Sequence, residues 1–303
     1  MTWEIRLIDT YFTVCRFRDI ILYHSERMSN HKNPSFTDEE VMTIYLFCTM
    51  DDLKLHTKRE IYDYAHRHLR SWFPELPGYA AFVSRVNRLN NVFGVLSDHV
   101  ARLINEQKPE LYAGTREFIV DSLPVMLAKS HRAKTAKVAV NIADLGYCAT
   151  KDIVYHGFKF HASGMMGAEN VLPSLHNAAV TPASTHDNTG FKEELVRNSV
   201  NSTVYADSAY ADQAAAPELS KKYNVTVCAI QKRKKGQKEL FYDQKCQNAG
   251  VSRIRQPIEG YFGWLIERTD IQNASKCRSD KGALLHVFGK IAASLVFLLI
   301  SNS

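Results

Sequence analysis

The chain has 303 residues, 38 Lys and Arg against 32 Asp and Glu, and 45% hydrophobic residues. This balance excludes a disordered polymer and leaves room for two domains, or one large domain with an appendage, with full cores. Its six cysteines lie no closer than 18 residues apart, which excludes CxxC zinc and redox patterns and points to a reducing compartment.

The first turns mix charges into Met-Thr-Trp-Glu-Ile-Arg, unlike a signal peptide. Residues 1–110 then read as helical, with spacing near 3.6 at Ile5 to Tyr23, Glu39 to Met50 and Tyr79 to Leu103. Thr37 and Glu40 form a capping-box pattern that predicts a helix starting near Asp38. Pro74, Pro77 and Gly78 break the pattern before a helix carrying Arg85, Asn87 and Arg88. Arg85 and Arg88 are candidate DNA contacts of a helix-turn-helix-like unit, or else the solvated face of a bundle helix.

Gln107-Lys108-Pro109-Glu110 is the expected boundary, because short β-rich apolar runs follow it. The division predicted is a helical domain over 1–110, suited to binding DNA ends, and a second domain over 111–303 with a basic insertion at about 231–252. Strands are expected at Glu117 to Val120, Lys137 to Ile142, Val154 to His161, Ala178 to Thr181, Thr203 to Ala206 and Val225 to Ile230. Helices are expected from Phe191 to Val196 and from Asp212 to Lys222. Strands followed by alternating helices and strands imply an α/β fold, a mixed sheet covered by helices. The apolar run Ala283 to Ile300 is interrupted by His286, Gly289, Lys290 and Ser294, so a buried helix is expected rather than a membrane span.

Three carboxylates stand out. Asp121 follows the apolar run Phe118-Ile119-Val120, and Asp207 follows Val204-Tyr205-Ala206. Ligand sites favour the carboxyl ends of strands, although an aspartate there also commonly starts a turn or caps a helix. Glu259 comes 52 residues after Asp207. With Pro257 at the first helical position, Glu259 is expected in a helix's first turn. A convergence of carboxylates repels itself unless a divalent cation neutralises it, and Mg²⁺ prefers oxygen ligands. A two-metal phosphoryl-transfer centre fits that set.

The chain resembles DDE-type transposases of bacterial insertion sequences. The resemblance rests on Phe118-Ile119-Val120-Asp121-Ser122, the run Tyr155 to His161, Thr181 to Asp187, Ala206-Asp207-Ser208-Ala209-Tyr210 and Arg255-x-x-x-Glu259. It implies an RNase H-like mixed sheet flanked by helices, preceded by a helical N-terminal domain. It also implies Asp121, Asp207 and Glu259 as a catalytic triad holding two Mg²⁺ ions, with Mn²⁺ as substitute. Three positions depart from the family pattern: Ala209, Ser252 and Ile266 stand where Gly, Tyr and Lys are usual. The substrate implied is double-stranded DNA, element ends and target, handled by a cytoplasmic, nucleoid-associated bacterial enzyme with a homodimer as an option and no membrane. An RNase H-like nuclease without strand transfer and a catalytically silent DNA-binding derivative are the alternatives.

Charge is concentrated. Residues 221–255 hold ten Lys and Arg against two acidic residues, a net +8 against +6 for the whole chain, whereas residues 1–110 carry 14 basic and 15 acidic groups. Lys232, Arg233, Lys234, Lys235, Lys238, Arg253 and Arg255 are therefore expected to contact phosphates, with Lys159 on its strand. Arg255 is otherwise expected to orient Glu259. Phe241 and Tyr242 are candidates for base stacking. The pair His186-Asp187 is read as a loop turn.

Overall fold

A computed structural model describes residues 2–25, 34–50, 53, 55–112, 116–168 and 171–301. Helices α1 (Trp3–Arg16), α2 (Arg18–His24), α3 (Asp38–Met50), α4 (Lys58–His68), α5 (Tyr79–Arg88), α6 (Asn90–Gln107) and the short α7 (Pro109–Tyr112) come first. Strands β1 (Glu117–Lys129), β2 (Asp144–Cys148), β3 (Ile153–Met165) and β4 (Ser174–Pro182) follow. Then come α8 (Asp187–Gly190), β5 (Ser202–Ala206), α9 (Ala216–Tyr223), β6 (Val225–Ala229), α10 (Tyr242–Thr269) and α11 (Asp280–Ser301).

The chain forms two units. One comprises Met1–Ala101 with Leu265–Ser303, the other Arg102–Trp264. This differs from the expected division into 1–110 and 111–303 at both ends, because α11 packs against α3, α1 and α5. A single division of the sequence cannot express that return.

In the first unit α3 is buried at every position from Val41 to Met50. An apolar surface all round suits a central helix. Its start is capped as expected: the Glu40 amide donates to Thr37 Oγ1 at 3.1 Å and the Thr37 amide donates back to the Glu40 carboxylate. Helix α11 is long and apolar enough to cross a membrane, by length and composition only, yet most of it is buried in this unit. Its polar interruptions are satisfied internally. His286 Nε2 donates to the Ile271 carbonyl at 2.8 Å and Lys290 Nζ to that of Asp270 at 3.3 Å.

The second unit is built on a mixed sheet of order β2-β3-β1-β5-β6, with β4 pairing the same edge of β3 as β2. Pairing among β4, β3 and β1 is antiparallel, and among β1, β5 and β6 parallel. Phe118 and Val120 of β1 and Val204 and Ala206 of β5 pack with Phe191, Leu195 and Val196 in the core on one face. Beyond Val120, β1 has no parallel partner, so Pro124 meets an open edge on that side, where its missing N–H costs no ladder bond.

Three expected elements differ. Lys137 to Ile142 is a turn, not a strand: Ala139 takes φ 55° and its carbonyl accepts from the amides of Ile142 and Ala143. The strand pairing with β3 at that place is β2 instead. Phe191–Leu195 is a π-helical turn, and the helix expected from Asp212 begins only at Ala216.

Gly157 marks the tightest strand approach. A Cβ there would lie 2.1 Å from the Val125 carbonyl oxygen, a backbone atom that cannot move aside. Gly157→Ala is expected to destabilise the protein by more than about 3 kcal/mol, measured by urea denaturation followed by circular dichroism.

Candidate active site

The last parallel pair between β1 and β5 is Val120 with Ala206. Asp207 follows the end of β5, whereas Asp121 does not end its strand as expected: β1 runs on to Lys129, held by its antiparallel pairing with β3, and Asp121 sits just past the last parallel pair, beside Asp207. Because Val120 and Ala206 point into the Phe191 core, strand alternation turns both aspartates to the opposite face. Helix α10 lies on that face, with the ring of Phe262 6.1 Å from Phe160 of β3.

Here the expected start of the third helix is corrected. Pro257 is not its first residue but lies inside α10, which begins at Tyr242, 17 residues before Glu259. The macrodipole of a first turn therefore does not act on Glu259. Its neighbour one turn back does: Arg255 Nη1 contacts Glu259 Oε1 at 2.6 Å, and Arg255 Nη2 contacts Asp121 Oδ2 at 2.8 Å. One buried guanidinium thus joins the helix acid to the strand acid.

Burial pushes the Asp121 carboxyl up to about 6. The Arg255 charge and the Ser122 amide, which donates to Asp121 Oδ1 at 2.8 Å, oppose that rise, while the carboxylates of Asp207 and Asp187 add to it. Two acidic groups, Asp207 and Asp187, therefore share one electrostatic environment with Asp121. Glu259 itself is exposed.

The expected turn role of Asp187 is replaced by tertiary contacts. Asp187 Oδ1 accepts from Ser122 Oγ at 2.8 Å and from Lys159 Nζ at 3.0 Å, and Lys159 also donates to the Thr185 carbonyl at 2.9 Å. It is His186 that caps the turn, accepting from the Asn188 amide. His161 is buried beside Thr181, with its pKa lowered to about 4 by burial.

Lys232, Arg233, Lys234, Lys235 and Lys238 lie on the loop between β6 and α10, where all five reach solvent, and Arg253 is exposed on α10. The expected insertion at about 231–252 is thus half loop and half helix. Side-chain amides tie the loop at both ends: the Gln231 amide donates to Asn248 Oδ1 at 2.8 Å, and the Phe241 amide to Gln244 Oε1 at 2.9 Å. Phe241 and Tyr242 stand exposed at its end. Arg85 and Arg88 are engaged elsewhere, both with the buried carboxylate of Asp38 at 2.7 and 2.9 Å. Lys58 Nζ donates to Asn87 at 2.8 Å.

Among the described residues, no group of three or more His, Cys, Asp or Glu side chains is arranged to hold a metal ion. The donor chemistry fits a hard divalent cation all the same. Asp121, Asp207 and Glu259 offer only oxygen, and a positive charge, that of Arg255, already bridges two of them.

A mixed sheet flanked by helices, with two aspartates side by side on adjacent strands where their parallel pairing stops and a glutamate on the covering helix, defines an RNase H-like fold of the transposase type. The chain belongs to the transposase DDE domain family, whose model matches residues 113–296. Comparison with curated proteins and with solved structures gave no significant match. The family acts on DNA and generally uses a divalent metal.

The raised pKa of Asp121 has a sign that can be tested. An acid whose folded pKa lies above its unfolded value binds more protons in the folded state, so stability falls as pH rises between about 4 and 6. Asp121→Asn mimics the protonated form. It is expected to raise the melting temperature at pH 8 without added metal, by a gain that shrinks as the pH is lowered to 5, read by differential scanning calorimetry.

Proposed function

We propose that the protein cleaves the ends of a mobile DNA element and joins the freed 3′-hydroxyls to target DNA, by two-metal phosphoryl transfer at Asp121, Asp207 and Glu259. The observation that carries this reading is the single arginine shared by Asp121 and Glu259 on the sheet face to which Asp207 also turns. It argues that acids distant in sequence form one centre that demands positive charge.

Asp121, Asp207 and Glu259 would hold two Mg²⁺ ions, with Mn²⁺ able to substitute. The chemistry such ions supply when bound is activation of an attacking water or 3′-hydroxyl and stabilisation of the leaving oxygen. The protein's own part is alignment, since phosphoryl transfer depends chiefly on positioning and electrostatics. Asp121 is held at both oxygens, by the Ser122 amide and by Arg255. Arg255 would also be placed to meet a phosphate once its carboxylate partners turn to the ions.

Double-stranded DNA would lie along the basic side chains of the 231–241 loop and Arg253. Lys159 would act from within the sheet through its pair with Asp187, and Arg85 and Arg88 through the Asp38 contact that sets the shape of the helical unit. Action as a dimer and residence with the cytoplasmic nucleoid belong to the same reading.

A supercoiled plasmid bearing element ends, incubated with Mg²⁺ and labelled substrate, tests this. Cleavage and joined products are expected from the wild type, with a loss of at least about 10³-fold in Asp121→Ala, Asp207→Ala and Glu259→Ala. Cleavage without joining would favour a nuclease, and DNA binding without cleavage a silent derivative. For the loop, Lys232→Ala, Lys234→Ala and Lys235→Ala combined are expected to weaken binding to unrelated DNA sequences alike. The plot of log affinity against log salt should become shallower by about 0.9 for each phosphate no longer neutralised, measured by fluorescence anisotropy.

A further inference from the structure

We propose that Asp187 is a positioning residue of the acidic centre, acting through the Ser122 hydroxyl to hold Asp121 in the orientation that receives a divalent cation. The inference rests on the reading of Asp121 as a cation ligand.

The two oxygens of Asp121 are held by different arms. Oδ2 meets Arg255, which Glu259 anchors from the other side. Oδ1 meets the amide of Ser122. Ser122 is in turn anchored by Asp187, 65 residues away in sequence. Each arm thus ends on a second carboxylate. An incoming cation competes with the Arg255 arm, since both seek the same carboxylate charge. The Ser122 arm is the hold that outlasts that competition.

The direction of the Ser122 bond follows from charge. Lys159 Nζ, which can only donate, lies 3.0 Å from the Asp187 oxygen that Ser122 contacts. That oxygen accepts from both neighbours, so the Ser122 hydroxyl donates, and its rotamer is set. Strand alternation places Ser122 on the face opposite Asp121. The register aligns Ser122 with His161 and Pro124 with Lys159, so Ser122 and Lys159 share that face. Asp187 therefore supports the ligand from behind the sheet, without occupying the space in front of Asp121. Were Asp187 merely an anchor for its own loop, the lysine and the Thr185 carbonyl would suffice, and Ser122 would be dispensable.

The test is Mn²⁺ binding to the full chain without DNA, followed by electron paramagnetic resonance of free Mn²⁺. Ser122→Ala, which changes no charge, is expected to weaken binding about 10-fold, the order of loss seen when an outer partner of a metal ligand is removed. Ser122→Thr, which keeps the hydroxyl, should restore it. In the background Asp187→Ala with Lys159→Met, which removes the ion pair as a unit, Ser122→Ala should have no further effect, because the two positions form one arm. The proposal is overturned if Ser122→Ala leaves the affinity unchanged, or weakens it equally in both backgrounds. If that background fails to fold, Ser122→Ala against Ser122→Thr decides alone. Asp121→Asn separates the two levels: unchanged Mn²⁺ binding in that variant would bring down the metal-centre reading itself, whereas its loss beside a silent Ser122→Ala would bring down only the role of Asp187.

Discussion

A carboxylate held within a strand, away from water, is an expensive object. Asp121 is largely withdrawn from water, beside the charges of Asp207 and Asp187, and the Arg255 guanidinium that reaches it from α10 is the first of the two contacts that offset this. The same guanidinium holds Glu259. Removing the guanidinium would leave the Asp121 charge uncompensated, which costs more than the contact contributes, whereas neutralising Asp121 leaves Arg255 its second partner, Glu259. The position of α10 on the sheet, the spacing of the acids and the electrostatic state of Asp121 thus hang on one side chain.

Much of this is legible in the order of the residues. A short β-branched run that ends in aspartate reads as a strand end, which holds for Asp207 after β5 but not for Asp121, where pairing with β3 carries β1 on to Lys129. Asp121 and Asp207 stand out for that reason, Glu259 through its place four residues after Arg255, and the capping box through the spacing of Thr37 and Glu40. What stays hidden depends on contacts distant in sequence. Pro257 resembles a helix start because proline suits that position, but tertiary packing carries the helix through it. Val138, Val140 and Ile142 alternate like a strand, but the positive φ at Ala139 curls them into a turn. Asp187 resembles a turn residue because its partners, Ser122 and Lys159, lie 65 and 28 positions away. Arg85 and Arg88 read as free for the same reason, since Asp38 is 47 and 50 residues distant.

The basic loop shows how a charged segment can be ordered without a core. Gln231, Gln237, Gln244, Gln247 and Asn248 exchange side-chain hydrogen bonds along the start of α10. Amides both donate and accept, so they can chain together where lysines would only repel. The cations between them are displayed from a segment whose ends are already pinned, which lowers the ordering cost of meeting a phosphate backbone.

Helix α10 contains Gly250, Pro257, Gly260 and Gly263, a composition that in isolation disfavours a helix by about 6 kcal/mol on intrinsic propensity. Ile258 and Phe262 are buried, and Arg255 is engaged with Asp121. The helix is therefore a dependent element, ordered by the surface it lands on. Asp121 and Asp207 are placed by the sheet, but Glu259 is placed by α10 and by its contact with Arg255. The proposed centre is therefore complete only where α10 lies on the sheet, so its assembly depends on a tertiary contact and not on the strands alone.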